Sequence, residues 1–79
     1  IIVVTGAGSG IGRALVKRFI AEGARAVVAA DIDAAAADRT AADFGCVAMS
    51  ADVAKEAEVI RLIEDTERAI GPIDLFCNN

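Results

Sequence analysis

The segment Thr5-Gly6-Ala7-Gly8-Ser9-Gly10-Ile11-Gly12 follows an apolar run, Ile1 to Val4, and leads into an amphipathic stretch, Arg13 to Glu22. Glycines let a backbone turn sharply and approach a ligand with no Cβ in the way. A helix that begins there presents unpaired N–H groups and the positive end of its dipole, and together these attract an anion. The chemistry on offer is phosphate binding by main chain. A second candidate, Asp31, lies 19 residues past Gly12, at the end of the apolar run Ala26–Ala30. A carboxylate about 20 residues beyond a glycine turn can accept hydrogen bonds from both hydroxyls of an adenosine ribose, and it repels a 2′-phosphate. Neither Ser9 nor Ile32, the neighbouring positions from which a base could pair with that phosphate, is basic. These residues favour NAD over NADP.

Rival readings fail on particular residues. A P-loop needs Gly-Lys-Ser/Thr to reach the β- and γ-phosphates and Mg²⁺, whereas this chain has Gly12-Arg13-Ala14. The strict G-x-G-x-x-G spacing also fails, because Ile11 stands where the third glycine would fall. A methyltransferase that uses S-adenosylmethionine often carries an acid at the end of its first strand, where Thr5 stands here. The glycines that remain fit T-G-x-x-x-G-x-G. Asp31 has a structural alternative as a turn residue or helix N-cap, although Asp33, directly before an alanine-rich stretch, is the better cap.

The elements that must position these residues alternate regularly. Ile1–Thr5 reads as a strand, and Ser9–Glu22 as a helix with Ala14, Leu15, Arg18 and Phe19 spaced for one face. Gly23 stands where a helix-terminating glycine belongs. Ala26–Ala30 is a second strand, Ala34–Phe44 a helix rich in the best helix former and stopped by Gly45, and Cys46–Met49 a third strand. Lys55–Ile70 is the clearest helix, with Val59, Ile60, Ile63, Glu67 and Ile70 near a 3.6-residue period and Glu64–Arg68 placed for an i,i+4 pair. Gly71-Pro72 ends it, and Ile73–Cys77 is a fourth strand. This βαβαβαβ succession predicts an α/β fold: a Rossmann-type parallel sheet with helices on both faces and strand order 3-2-1-4. In that order the third and fourth strands lie three spacings apart, roughly 14 Å at about 4.8 Å each. That exceeds the ~7 Å Cα limit for a disulfide, so Cys46 and Cys77 are expected to remain unbridged.

Composition bounds the function. The 79 residues are 56% hydrophobic with only 4% aromatic, so small aliphatics carry the core, as suits parallel strands buried on both faces. A chain of this length buries only about 60–65% of its unfolded surface. Starting and stopping directly on strands, it reads as the front, NAD-binding half of a larger domain. A net charge of −4 argues against nucleic acid, which needs a basic face. No run approaches the roughly 18 apolar residues of a membrane span, and no signal-peptide pattern opens the chain. The two cysteines lack the spacing of a metal or redox motif and suit buried thiols in a reducing cytoplasm.

Thr5-Gly6-x-x-x-Gly10-Ile11-Gly12, Asp31, Asp52-Val53, Gly71-Pro72-Ile73-Asp74 and Cys77-Asn78-Asn79, in this order from end to end, resemble the short-chain dehydrogenase/reductase family. The resemblance implies a nucleotide-binding oxidoreductase, with hydride transfer between NAD(H) or NADP(H) and an alcohol or ketone, in a cytoplasmic homo-oligomer, tetramer or dimer. It implies that Gly6, Gly10 and Gly12 form the pyrophosphate turn, with the Ser9 and Ile11 backbones against the cofactor. Asp31 would hold the adenosine ribose, Ile32 would flank the adenine, and Asp52 with the Val53 N–H would contact it. Asn78-Asn79 resembles the start of the Asn-Asn-Ala-Gly motif, which supports the central strand and borders the cofactor. Structural alternatives stand beside these roles: Thr5 as a backbone tie at the strand end, Asp52 as a cap near Lys55, Asn78 and Asn79 as turn residues.

Hydride transfer at a carbinol needs a proton donor or acceptor at the substrate oxygen. The family supplies it with a Ser, a Tyr and a Lys, the last two as Tyr-x-x-x-Lys. This chain has no Tyr and no His, so no catalytic residue is assigned within it, and the resemblance places them beyond Asn79. Two readings of the parent protein follow. It is an NAD-dependent oxidoreductase, or a non-catalytic nucleotide-binding or regulatory module on the same fold; downstream sequence discriminates them.

Overall fold

A computed structural model describes residues 1–79. The chain forms β1 (Ile2–Val4), α1 (Gly10–Ala21), β2 (Val27–Asp31), α2 (Ala34–Phe44), β3 (Val47–Ser50), α3 (Glu56–Ala69) and β4 (Leu75–Cys77). All strands pair in parallel in one sheet of order β3-β2-β1-β4, as the alternation of the sequence predicts. Strand residues alternate between faces, and the core divides accordingly. Val3, Val28 and Ala30 pack on one face with Ala51 and Leu62 of the α3 side. Val4, Val27 and Ala29 pack on the other with Val16, Leu15, Phe19 and Ile20 of α1 and Phe44 of α2. Helices thus cover both faces, and every residue of β2 from Val27 to Ala30 is buried.

The helix faces differ from the expected ones. In α1 the buried residues are Gly12 and Val16, while Arg18 turns outward to pair with Glu22 at 2.9 Å. In α3 the buried residues are Leu62 and Thr66, and Ile60 is exposed. Positions 59, 62, 63, 66 and 70 make a better 3.6-residue stripe than one through Ile60, so packing follows the full stripe and leaves Ile60 to water. Arg68 pairs with Asp65, not Glu64.

The terminators behave as expected. Gly45 adopts φ 71° and closes α2, and Asp33 caps the same helix by accepting from the Ala36 N–H at 3.2 Å. Cys46 and Cys77 are unbridged and stand beside opposite edge strands of the sheet. Partial burial pushes the Cys46 thiol above its ordinary pKa, which keeps it protonated. No helix is long and apolar enough to cross a membrane.

Candidate functional site

Parallel strands bring their carboxyl ends to one side, and the glycine turn, Asp31, Asp52 and the Asn pair all follow those ends. Gly6 and Gly10 adopt φ 61° and 56°, a left-handed conformation that costs any other residue energy. Gly12 is required for a different reason. A Cβ there would lie 2.0 Å from the Gly6 carbonyl oxygen, so the start of α1 can seat against the turn only without a side chain.

The first turn of α1 is uncapped. Ser9 occupies the N-cap position in extended conformation, but its side chain makes no cap bond. The N–H groups of Gly10, Ile11 and Gly12 donate to no group of the chain, the first bond of the helix being Arg13 N–H to the Ser9 carbonyl. Such unpaired donors at a positive dipole end suit a pyrophosphate. Ser9 is exposed and Ile11 is 73% exposed, so nothing of the chain covers them.

Asp31 ends β2 beside this turn. Its Oδ2 accepts from the Gly8 N–H at 2.8 Å and its Oδ1 from the Asp33 N–H at 2.9 Å. An ionised carboxyl offers about four lone-pair sites, so after these two bonds each oxygen can accept once more. The alternative of Asp31 as the cap of α2 does not hold, since Asp33 fills that role.

On the other flank, the Thr5 hydroxyl donates to Asn78 Oδ1 at 2.9 Å and accepts from the Asn79 N–H at 3.0 Å. Thr5 is therefore the tie between the ends of β1 and β4. The Asn79 amide lies against the turn: a Cβ on Gly6 or Gly12 would come within 3.0 or 2.9 Å of its nitrogen. Asn79 thus packs against the glycine turn, and Asn78 is held by the Thr5 hydroxyl beside it.

Ile32 and Asp52-Val53 follow β2 and β3, whose ends are linked by the Ala51 N–H to the Asp31 carbonyl at 3.1 Å. Ile32 and Val53 are exposed, an apolar surface that a flat base can cover. Asp52 does not cap α3, whose N-cap is Lys55. Its Oδ1 instead accepts from the Ala54 N–H at 3.0 Å, and its N–H donates to Glu58 Oε1 at 3.3 Å. Arg61 beside Glu58, with help from that N–H, holds the Glu58 carboxyl below its usual pKa. The Val53 N–H has no partner in the chain.

Sequence reasoning overlooked three contributors. Gly8 falls on an unassigned position of the T-G-x-x-x-G-x-G template, yet it grips Asp31. Thr40, fully buried, donates to the Ala7 carbonyl at 2.9 Å. Arg13 donates to Thr40 at 3.1 Å and to Asp43 at 2.6 Å, and its guanidinium lies 4.7 Å from the centroid of Phe44. This chain of bonds locks α2 to the turn. Gly8 is a fourth glycine in the segment beyond the three the template assigns, and that surplus is its only local signal, while nothing local in the sequence marks Thr40.

A parallel sheet of order 3-2-1-4 with a glycine turn between β1 and α1 defines a Rossmann-type unit. Residues 1–79 match the family described as short chain dehydrogenase, and the chain belongs to that family. It is 38% identical to meso-2,3-butanediol dehydrogenase of Serratia marcescens, covering 100% of this chain and 32% of that protein. It is 40% identical to (+)-cis,trans-nepetalactol synthase of Nepeta racemosa, covering 100% of this chain and 30% of that one. The solved structure of 3-ketoacyl-(acyl-carrier-protein) reductase from Brucella melitensis complexed with NADH matches at 40% identity and TM-score 0.86 over 95% of this chain and 31% of that one. The chain thus spans about a third of the length of these relatives.

Proposed function

We propose that this chain is the adenosine- and pyrophosphate-binding half of the NAD(H) site of an oxidoreductase, and that the whole protein transfers hydride between NAD(H) and an alcohol or ketone. Gly6, Gly10 and Gly12 shape the pyrophosphate turn, and the N–H groups at the start of α1, beside Ser9 and Ile11, meet its charge. Asp31 receives the adenosine ribose, Ile32 flanks the adenine, and Asp52 with the Val53 N–H contacts its edge. Asn78 and Asn79 border the cofactor where it passes β1. NAD(H), when bound, supplies the hydride acceptor or donor. The acid–base residues belong to the rest of the protein, whose small-molecule substrate, homo-oligomeric state and cytoplasmic location are part of the same proposal. The NADH in the reductase from Brucella melitensis supports the cofactor class.

The observation that carries the preference for NAD is the aim of Asp31, whose two oxygens are held by the Gly8 and Asp33 N–H groups. A carboxylate so placed attracts a ribose diol and repels a 2′-phosphate, and Ser9 and Ile32 offer no compensating positive charge. Titration of the full-length protein with NADH and NADPH should give a dissociation constant at least about tenfold lower for NADH, or roughly 1.4 kcal/mol. Equal affinities would overturn the assignment.

A further inference from the structure

Gly8 adopts no left-handed conformation, so turn geometry does not explain a glycine there. Its surroundings do. A Cβ at this position would lie 2.5 Å from the Ala36 Cβ of α2 and 2.8 Å from Asp31 Oδ2. Contacts that short are not tolerated between real side chains, and the partners would have to move. The same residue's N–H donates to Asp31 Oδ2 at 2.8 Å, a bond to a charged acceptor and therefore stronger than a neutral one. Bond and bare Cα work together, because the carboxylate can approach the main chain only where no side chain fills the space.

We propose that Gly8 is a positioning residue that aims the Asp31 carboxylate and thereby sets how strictly the site prefers a free 2′-hydroxyl to a 2′-phosphate. This rests on the reading of Asp31 as the ribose-binding residue. The Asp33 N–H holds Oδ1 from within the same turn, two residues away, and that bond leaves rotation of the carboxyl about its own axis open. The Gly8 N–H comes from the turn between β1 and α1, 23 residues away in sequence, and fixes that rotation. It points one acceptor site of each oxygen at the position a vicinal diol would occupy. With alanine at position 8, the carboxylate moves away from the turn, and the two hydroxyl bonds cannot form together. NADPH, which is repelled rather than bound by Asp31, has less to lose.

The test compares Gly8→Ala, Gly8→Ala/Ala36→Gly and Asp31→Ala in the full-length protein, with NADH and NADPH as probes and thermal unfolding as the control for folding. Gly8→Ala should weaken NADH about tenfold, the loss of one bond to a charged acceptor, while NADPH changes much less. The double variant removes the 2.5 Å collision with α2 and keeps the one with Asp31. It should regain thermal stability yet keep the lowered NADH preference, and it carries the test if the single variant fails to fold. Recovery of the preference with Ala36→Gly would make Gly8 a packing residue and overturn the proposal, as would an unchanged preference in Gly8→Ala. If Asp31→Ala itself leaves the preference intact, the ribose reading fails, and the Gly8 proposal fails with it. If Asp31→Ala abolishes the preference while both Gly8 variants retain it, only the proposal for Gly8 fails.

Discussion

At the scale of single residues, glycines in one segment do different work. Gly10 is chosen for conformation: it sits at φ 56°, and a Cβ there would meet nothing within 4 Å. Alanine at this position should cost about 1–2 kcal/mol, the penalty of a left-handed L-residue. Gly12 is chosen for space, since a Cβ would overlap a backbone oxygen that cannot swing aside. Gly12→Ala should therefore cost more than Gly10→Ala, upward of the roughly 1–3 kcal/mol typical of overpacking. Urea unfolding of the two variants checks the order, and equal losses would contradict the distinction. The template made the glycines at 6, 10 and 12 legible. It left Gly8 silent because the reason for that glycine, Asp31 and Ala36, is distant in sequence and close only in the fold.

At the scale of elements, the turn depends on α2 as well as on the helix it opens. The Thr40 hydroxyl is the partner of the Ala7 carbonyl, and both residues are fully buried. Thr40→Val keeps the volume but leaves that carbonyl and one Arg13 donor without a partner, a loss of about 1–3 kcal/mol. Denaturant titration would show it, and an unchanged midpoint would mean that water replaces the hydroxyl. Near β3, the lowered pKa of Glu58 comes first from the hydrogen bond of Arg61 and then from the Asp52 N–H. A carboxyl whose folded pKa lies below its unfolded value stabilises fully above the ordinary glutamate range, and that contribution fades as the pH falls through the lowered value. The stability gap between the parent chain and Glu58→Gln should shrink from pH 7 to pH 3; a constant gap would contradict it. Element types and order were legible because each strand is a short, mostly apolar run and each helix ends at a glycine or Gly-Pro. The buried stripes of α1 and α3 were less so, because several apolar residues compete for one face and only packing selects among them.

At the scale of the molecule, the order β3-β2-β1-β4 puts Cys46 and Cys77 by opposite edges. Reduction of the monomer should leave its mass unchanged, and a gain of two hydrogens would contradict the strand order itself. Fold class and order were legible because alternation with short connections leaves few parallel topologies open. Substrate chemistry was not, since no residue that could exchange a proton with a carbinol is recognisable in this stretch. The tie at Thr5 bears on how the molecule comes together. Its hydroxyl joins residues 73 and 74 positions away, so the tie closes a long loop between β1 and β4. Closing so long a loop costs conformational entropy that a contact between near neighbours does not. The asparagines are held beside the turn only when β4 is paired with β1. A nucleotide that needs this arrangement will bind the finished fold and not its precursors, and so stabilise the molecule globally by mass action.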